Sequence, residues 1–196
     1  MIIGLTGSSG AGKSIAAAFF TSKGFFVIDY DKLSREIYKK GEPCLTQLTK
    51  HFGNDIIDED GNVMRKKLGD IVFADKDKLK LLNNITTEHI LKKGDILIEQ
   101  NKHKDIVLDA PRLFEAGLNF QCDITVAIVA DAEIQLERIV KRDSISLKTA
   151  KGRLDAQHDN NFFAQNCDYC ISNNGTPKQL ETSLENLLEI LYDNCQ

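Results

Sequence analysis

Gly7-Ser8-Ser9-Gly10-Ala11-Gly12-Lys13-Ser14 satisfies G-x-x-x-x-G-K-[ST] at each fixed position, a spacing that wraps backbone N–H groups around a phosphate. The glycines let those groups turn inward, and the positive end of a following helix favours an anion. The expected nucleotide contacts are Gly7, Gly10, Ala11, Gly12, Lys13, Ser14 and Ile15. Lys13 is expected to reach the β- and γ-phosphates and the Ser14 hydroxyl to meet Mg²⁺. The implied chemistry is that of a nucleoside triphosphate. A plain Gly-rich turn carrying Lys-Ser would lack the strand before it and the helix after it.

Three further groups of residues bear on what happens to the γ-phosphate. Asp109 closes the apolar run Ile106-Val107-Leu108, where a carboxylate beside the phosphate loop orients magnesium; it could equally cap a helix. Asp29 and Asp31 end the second apolar run, and one of them can accept the proton of an attacking hydroxyl. At an ordinary pKa of about 3.9 an aspartate is ionised at neutral pH, and a loose phosphoryl-transfer transition state asks more for position than for base strength. Turn and N-cap roles are the alternative. Arg138, Lys141, Arg142, Lys148, Lys151 and Arg153 surround a single acid, Asp143, as in a lid whose arginines stabilise a transferred phosphoryl, or simply a solvated pair of basic helices. Guanine-specific patterns fail: Asp58-Glu59-Asp60-Gly61 follows no proper strand and reads as a solvated turn, and Asn101-Lys102-His103-Lys104-Asp105 is one residue too long.

These residues must be carried by an α/β fold. Met1 to Thr6 reads as a buried strand, Ile15 to Phe20 as a helix, and Phe25 to Ile28 as a second strand. From Lys32 to about Gln100 the pattern is polar and helical, with Leu79, Leu82 and Ile85 at helical spacing and Gly61 at a turn, so an inserted helical region is expected. Strands return at Ile106 to Asp109 and at Ile124 to Val129, each with a helical segment after it, and again near Tyr169 to Ile171. Leu184, Leu187, Leu188 and Leu191 share one face of a final helix that should pack on the sheet.

The chain has 196 residues, 42% hydrophobic and 28% charged, with a formal net charge of −4. That suits a single soluble domain with insertions, argues against general nucleic-acid binding, and leaves no apolar stretch long enough for a membrane span. With the motif so close to Met1, a cytoplasmic protein is expected. Cys44, Cys122, Cys167, Cys170 and Cys195 are scattered, as reduced thiols would be. Cys167 and Cys170 have neither a second pair nor a suitably spaced histidine, and their segment reads as a strand.

The chain resembles the dephospho-CoA kinase family over nearly its whole length. Gly4-Leu5-Thr6 and the loop are similar to the family's G-L-T-G-G-I-G-S-G-K-S, and Ile28-Asp29-Tyr30-Asp31 with Arg35 to its I-D-A-D and following A-R. Phe52-Gly53, Asp60-Gly61, Arg65 with Leu68, and Val72-Phe73 follow in order. Pro111 with Leu113-Phe114-Glu115 resembles P-L-L-F-E; Gln135, Arg138, Arg142-Asp143 and Gln157 follow its Q-x-x-R-x-x-x-R-D and later Q; Asn173-Asn174-Gly175 matches its N-N-G. The resemblance implies an α/β, three-layer P-loop kinase fold with a parallel five-stranded sheet, a helical substrate-binding insertion (32–100) and a helical lid (138–158), the core being 1–31, 101–137 and 159–196. It implies transfer of the ATP γ-phosphoryl to the ribose 3'-hydroxyl of dephospho-CoA, with Mg²⁺. By the same carry-over Asp31 is the base, Arg35, Arg65, Pro111 and Leu113 meet the acceptor, Arg138 and Arg142 are lid arginines, and Ser14 and Asp109 serve the metal. Three positions depart: Thr87-Glu88 stands where the family has His-Pro before a helix, Arg112 is second in the P-L-L-F-E segment, and Ile15 replaces Thr. Another P-loop kinase acting on a nucleoside or nucleotide, or an ATP-binding module without catalysis, are the alternative readings. No oligomeric state is legible; a monomer is plausible.

Overall fold

The computed structural model describes residues 1–193, so Cys195 lies outside the described residues. Along the chain, β1 (Ile2–Thr6) leads through the glycine loop into α1 (Lys13–Ser22), β2 (Phe26–Asp29) and α2 (Tyr30–Glu36). Helices α3 (Pro43–Phe52), α4 (Arg65–Phe73) and α5 (Lys76–Gln100) come next. Then follow β3 (Ile106–Asp109), β4 (Ile124–Val129), α6 (Ala132–Asp143), α7 (Leu147–Asp155), α8 (Asn160–Asn166), β5 (Tyr169–Ser172) and α9 (Pro177–Asp193). The chain divides into two compact units, Met1–Ile28 with Lys102–Gln196, and Asp29–Asn101.

The first unit is built on a five-stranded sheet of order β2-β3-β1-β4-β5. β1 pairs in parallel with β3, Leu5 opposite Asp109, and with β4, Thr6 opposite Ala127; β4 pairs in parallel with β5. Flanked on both sides, β1 buries Ile3 and Leu5 completely, which is why its sequence is a continuous apolar run rather than an alternating one. The loop leaving β1 emerges where successive strands depart to opposite sides, the position at which open α/β sheets bind ligands. Leu180, Leu184, Leu187, Leu188 and Leu191 of α9 join Ala16, Phe19 and Phe20 of α1 and Val126 and Ile128 of β4 in one core. The expected packing of the last helix is therefore found.

One local expectation fails. No regular helix follows β3: the chain passes through turns to Gly117, in the left-handed region at φ 69°, and a single 3-10 turn at Leu118–Gln121. Pro111 cannot donate to a helical ladder and Gly117 breaks it again, so the short segment has no room for a stable helix.

The second unit has its own apolar core, Ile37, Cys44, Leu48, Phe52, Ile56, Leu68, Val72 and Ile85. Asp58-Glu59-Asp60-Gly61 is a turn: the Asp58 carboxylate accepts from Asp60 N at 3.1 Å and Asn62 N at 2.8 Å. α5 starts at its N-cap Asp75, whose carboxylate accepts from Asp77 N and Lys78 N. It runs unbroken through Thr87-Glu88, which is therefore mid-helix and not a helix start; Glu88 pairs with Lys92 one turn on at 2.6 Å. In the same helix position 94 has no room for a side chain, since a Cβ on Gly94 would fall 2.3 Å from the Tyr30 hydroxyl. Among the described residues no helix is long and apolar enough to cross a membrane.

Candidate active site

Between β1 and α1 the backbone folds into a cradle that only glycine permits at its key points. Gly10 and Gly12 have φ of 77° and 106°, a region that L side chains adopt only under strain. Space is also lacking: a Cβ on Gly12 would lie 2.1 Å from Asn173 Nδ2, one on Gly10 2.7 Å from the Gln135 carbonyl oxygen, and one on Gly7 2.3 Å from that of Ile128. α1 starts at Lys13 with Gly12 as a cap that brings no side-chain acceptor. Its N-terminal dipole is thus open to an anion.

Side chains from distant elements hold the loop. Gln135, buried on α6, donates from Nε2 to Ser8 Oγ at 2.5 Å, and the buried Asn173, after β5, donates from Nδ2 to the Ala11 carbonyl at 2.7 Å. Arg138 donates to the Gly10 carbonyl at 3.2 Å, and the Gln157 amide oxygen accepts the Ser9 N–H at 2.7 Å. Gln135, Gln157 and Asn173 occur in the sequence pattern without any task that spacing alone assigns. One signal was available for Gln135, an uncharged polar residue one turn before the buried Ile139 on the apolar face of α6, since a buried amide demands partners.

Lys13 Nζ forms an ion pair with Asp109 Oδ1, the two side chains being 15% and 10% exposed. The carboxylate at the end of β3 thereby holds the lysine ammonium in a poorly solvated crevice beside β1. Ser14 is exposed on the first turn of α1. The glycine cradle, the open helix end and Lys13 suit the phosphates of ATP. Among the described residues no group of three or more His, Cys, Asp or Glu could hold a metal alone. The Ser14 hydroxyl and the Asp109 carboxylate are hard oxygen donors, the kind that holds Mg²⁺ jointly with phosphate oxygens.

The remaining candidates are placed less uniformly. Arg142 donates from Nε and one terminal nitrogen to the Asp143 carboxylate at 2.8 and 3.0 Å, and Arg153 reaches the same carboxylate at 2.8 Å. Arg142, foremost, holds the Asp143 carboxyl below the usual range. The trio spans the break between α6 and α7, where Ser144 is left-handed. The Pro111 carbonyl accepts from Thr6 Oγ1 at 3.4 Å. Leu113, expected at the acceptor, is instead a core residue: it is 0% exposed and fills the space over Gly4, where a Cβ would lie 2.9 Å from it. Glu115 lies 3.4 Å from His158 Nε2. Of the C-x-x-C pair on and before β5, burial pushes the Cys167 thiol up to about 12 and raises that of Cys170, which disfavours the reactive thiolate.

In the second unit, Asp29 is the N-cap of α2, its carboxylate accepting from Lys32 N at 2.8 Å. Asp31 is exposed on the first turn of that helix and Arg35 on its last. Arg65, exposed at the start of α4, holds its guanidinium 5.6 Å from the centre of the Tyr38 ring, a cation–π contact. Burial, then Cys44, raises the Tyr38 hydroxyl pKa, and Arg65 partly offsets this.

Comparison with known proteins agrees over the whole chain. The family profile described as dephospho-CoA kinase matches residues 1–179. A dephospho-CoA kinase from Fusobacterium nucleatum is 37% identical over 191 residues, covering 97% of this chain and 98% of that protein; one from Oceanobacillus iheyensis is 37% identical over 193 residues, with 96% of each covered. The solved structure of a dephospho-CoA kinase from Campylobacter jejuni superposes with a TM-score of 0.71 at 25% identity, covering 100% of this chain and 98% of that one. The chain belongs to the dephospho-CoA kinase family.

Proposed function

We propose that this chain transfers the γ-phosphoryl group of ATP to the ribose 3'-hydroxyl of dephospho-CoA, giving coenzyme A and ADP, the final step of coenzyme A synthesis. The observation that carries the reading is the glycine cradle with its Lys13–Asp109 pair, in a chain that matches this family along its length. Lys13 exchanges its Asp109 partner for the β- and γ-phosphate oxygens, where its charge offsets that of the departing ADP. Ser14 and Asp109 hold Mg²⁺, which supplies further charge neutralisation on the phosphates.

Asp31 takes the proton of the attacking hydroxyl as the bond from γ-phosphorus to the ADP oxygen breaks and that to the ribose oxygen forms. Arg35 and Arg65 bind the anionic groups of the acceptor, Pro111 is a further acceptor contact, and Arg138 and Arg142 stabilise charge on the transferred phosphoryl. The helical stretch 32–100 serves as the acceptor-binding insertion and 138–158 as the lid. The substrates are free small molecules, and the enzyme works in the cytoplasm.

The test is ADP release by the purified protein with ATP and Mg²⁺, comparing dephospho-CoA, a nucleoside panel and no acceptor. ADP formed only with dephospho-CoA, with a product of coenzyme A mass, is the expected result. ADP formed with a nucleoside, or ATP binding without turnover, would overturn the reading.

A further inference from the structure

We propose that Gln157 is a contact of the transferred γ-phosphoryl, a neutral donor aimed by the phosphate loop itself. Ser9 is the third residue of the motif, four before Lys13. The loop backbone and its lysine together cradle the β- and γ-phosphates, and Ser9 lies on the limb that enters that cradle. There the Ser9 N–H donates to Gln157 Oε1 at 2.7 Å. An N–H has nothing to accept with, so the amide must present its oxygen to Ser9, which leaves its NH₂ as a donor beside the same point of the loop.

The backbone behind the side chain is anchored. Gln157 N donates to the Leu154 carbonyl at 3.0 Å, and two residues on, Asp159 caps α8 through Phe162 N at 2.9 Å. Gln157 is exposed and lines a cleft of about 480 Å³ with Ser8, Gln135, His158 and Asn160. An amide donor set there strengthens its bond as charge spreads over the γ-phosphoryl oxygens and makes no demand on ADP. The role rests on the phosphoryl-transfer reading above and gives that transfer a fixed donor besides Lys13 and the arginines.

Gln157→Leu removes both halves of the arrangement. Gln157→Glu keeps an acceptor for Ser9 N–H but replaces the donor with negative charge. Both variants and the wild type are titrated with Mg-ADP and with a non-hydrolysable Mg-ATP analogue, and their kcat with dephospho-CoA is measured. For Gln157→Leu, kcat falls about 100-fold and affinity for the analogue about 10-fold, with ADP affinity unchanged. Gln157→Glu loses more than Gln157→Leu on both counts. A Glu variant at wild-type kcat would mean that the side chain only braces Ser9, and equal losses of ADP and analogue affinity would mean a structural role; either overturns the proposal. A gain in nucleotide affinity would overturn it too, by showing a latch that nucleotide displaces. Wild type without dephospho-CoA turnover would refute the reaction instead, and the ADP-to-analogue comparison would still decide Gln157.

Discussion

The phosphate loop and the helical unit Asp29–Asn101 treat their charged and polar groups in opposite ways. Around the loop, Ser8, Ser9, Gly10 and Ala11 each meet a side chain from another element, and Lys13 is already paired. In the helical unit Asp31, Arg35 and Arg65 stand exposed on helix ends, over a core made by other residues. A site for phosphate, whose shape is constant, is best preorganised by backbone and buried partners. Exposed side chains on a separate core instead leave recognition and folding separable. Substitutions near the loop should therefore affect binding and stability together, whereas those in the helical unit should separate them.

The largest effects test the two charged centres. Lys13→Ala is expected to lower kcat/KM by about 1000-fold or more, with weaker ATP binding and lower stability as Asp109 is left buried without the lysine. Asp31→Asn is expected to lower kcat about 1000-fold with ATP affinity and thermal midpoint unchanged. An active Asp31→Asn enzyme would remove the base from the helical unit and break the contrast at its main point.

Glycines sharpen the comparison next. Gly12→Ala meets both a φ of 106° and Asn173 Nδ2 at 2.1 Å, and is expected to cost about 1–3 kcal/mol and most of the nucleotide affinity. Gly41→Ala, in the helical unit at φ 89° with open space around it, is expected to cost about 1 kcal/mol and leave nucleotide affinity intact. Calorimetric titration with ADP beside thermal unfolding distinguishes the two.

Arg65→Ala is expected to raise KM for dephospho-CoA about 10-fold with the thermal midpoint nearly constant, because the guanidinium lies outside the core. An equal fall in stability would show that its stacking on Tyr38 holds the unit together.

The smallest effect is in pH. Burial alone would raise the Asp105 carboxyl, but its bonds to the Met1 ammonium at 2.9 Å and the Tyr192 hydroxyl at 2.8 Å prevail and hold it below its ordinary value. The group binds a proton more readily unfolded than folded. It therefore adds stability that is complete above the usual carboxylate range, near 3.8, and is lost as pH falls through the lower folded value. Asp105→Asn should flatten the acid limb of a stability profile slightly and leave nucleotide binding untouched.

Much of this contrast was legible beforehand. The loop could be read because its motif is contiguous, and β3 and β4 because buried parallel strands are unbroken apolar runs. The segment after β3 misled because helical composition there is overruled by Pro111 and Gly117. The burial of Leu113 was not legible, because a residue type says nothing of which way its side chain faces. Thr87-Glu88, where the family has His-Pro before a helix, lies inside α5 because the carboxylate that begins this helix, Asp75, is a dozen positions upstream.

The sequence by itself determined the strand-loop-helix unit, the glycines and the lysine, since backbone conformation and hydrophobic periodicity are set by near neighbours. Only the tertiary structure decided which polar groups serve that loop. Gln135, Gln157 and Asn173 lie 127, 148 and 162 positions from the residues they bind. A hydrogen bond is specified by distance and direction in space, and those exist only after the sheet has brought α6, the turn after α7 and the end of β5 around the carboxyl end of β1.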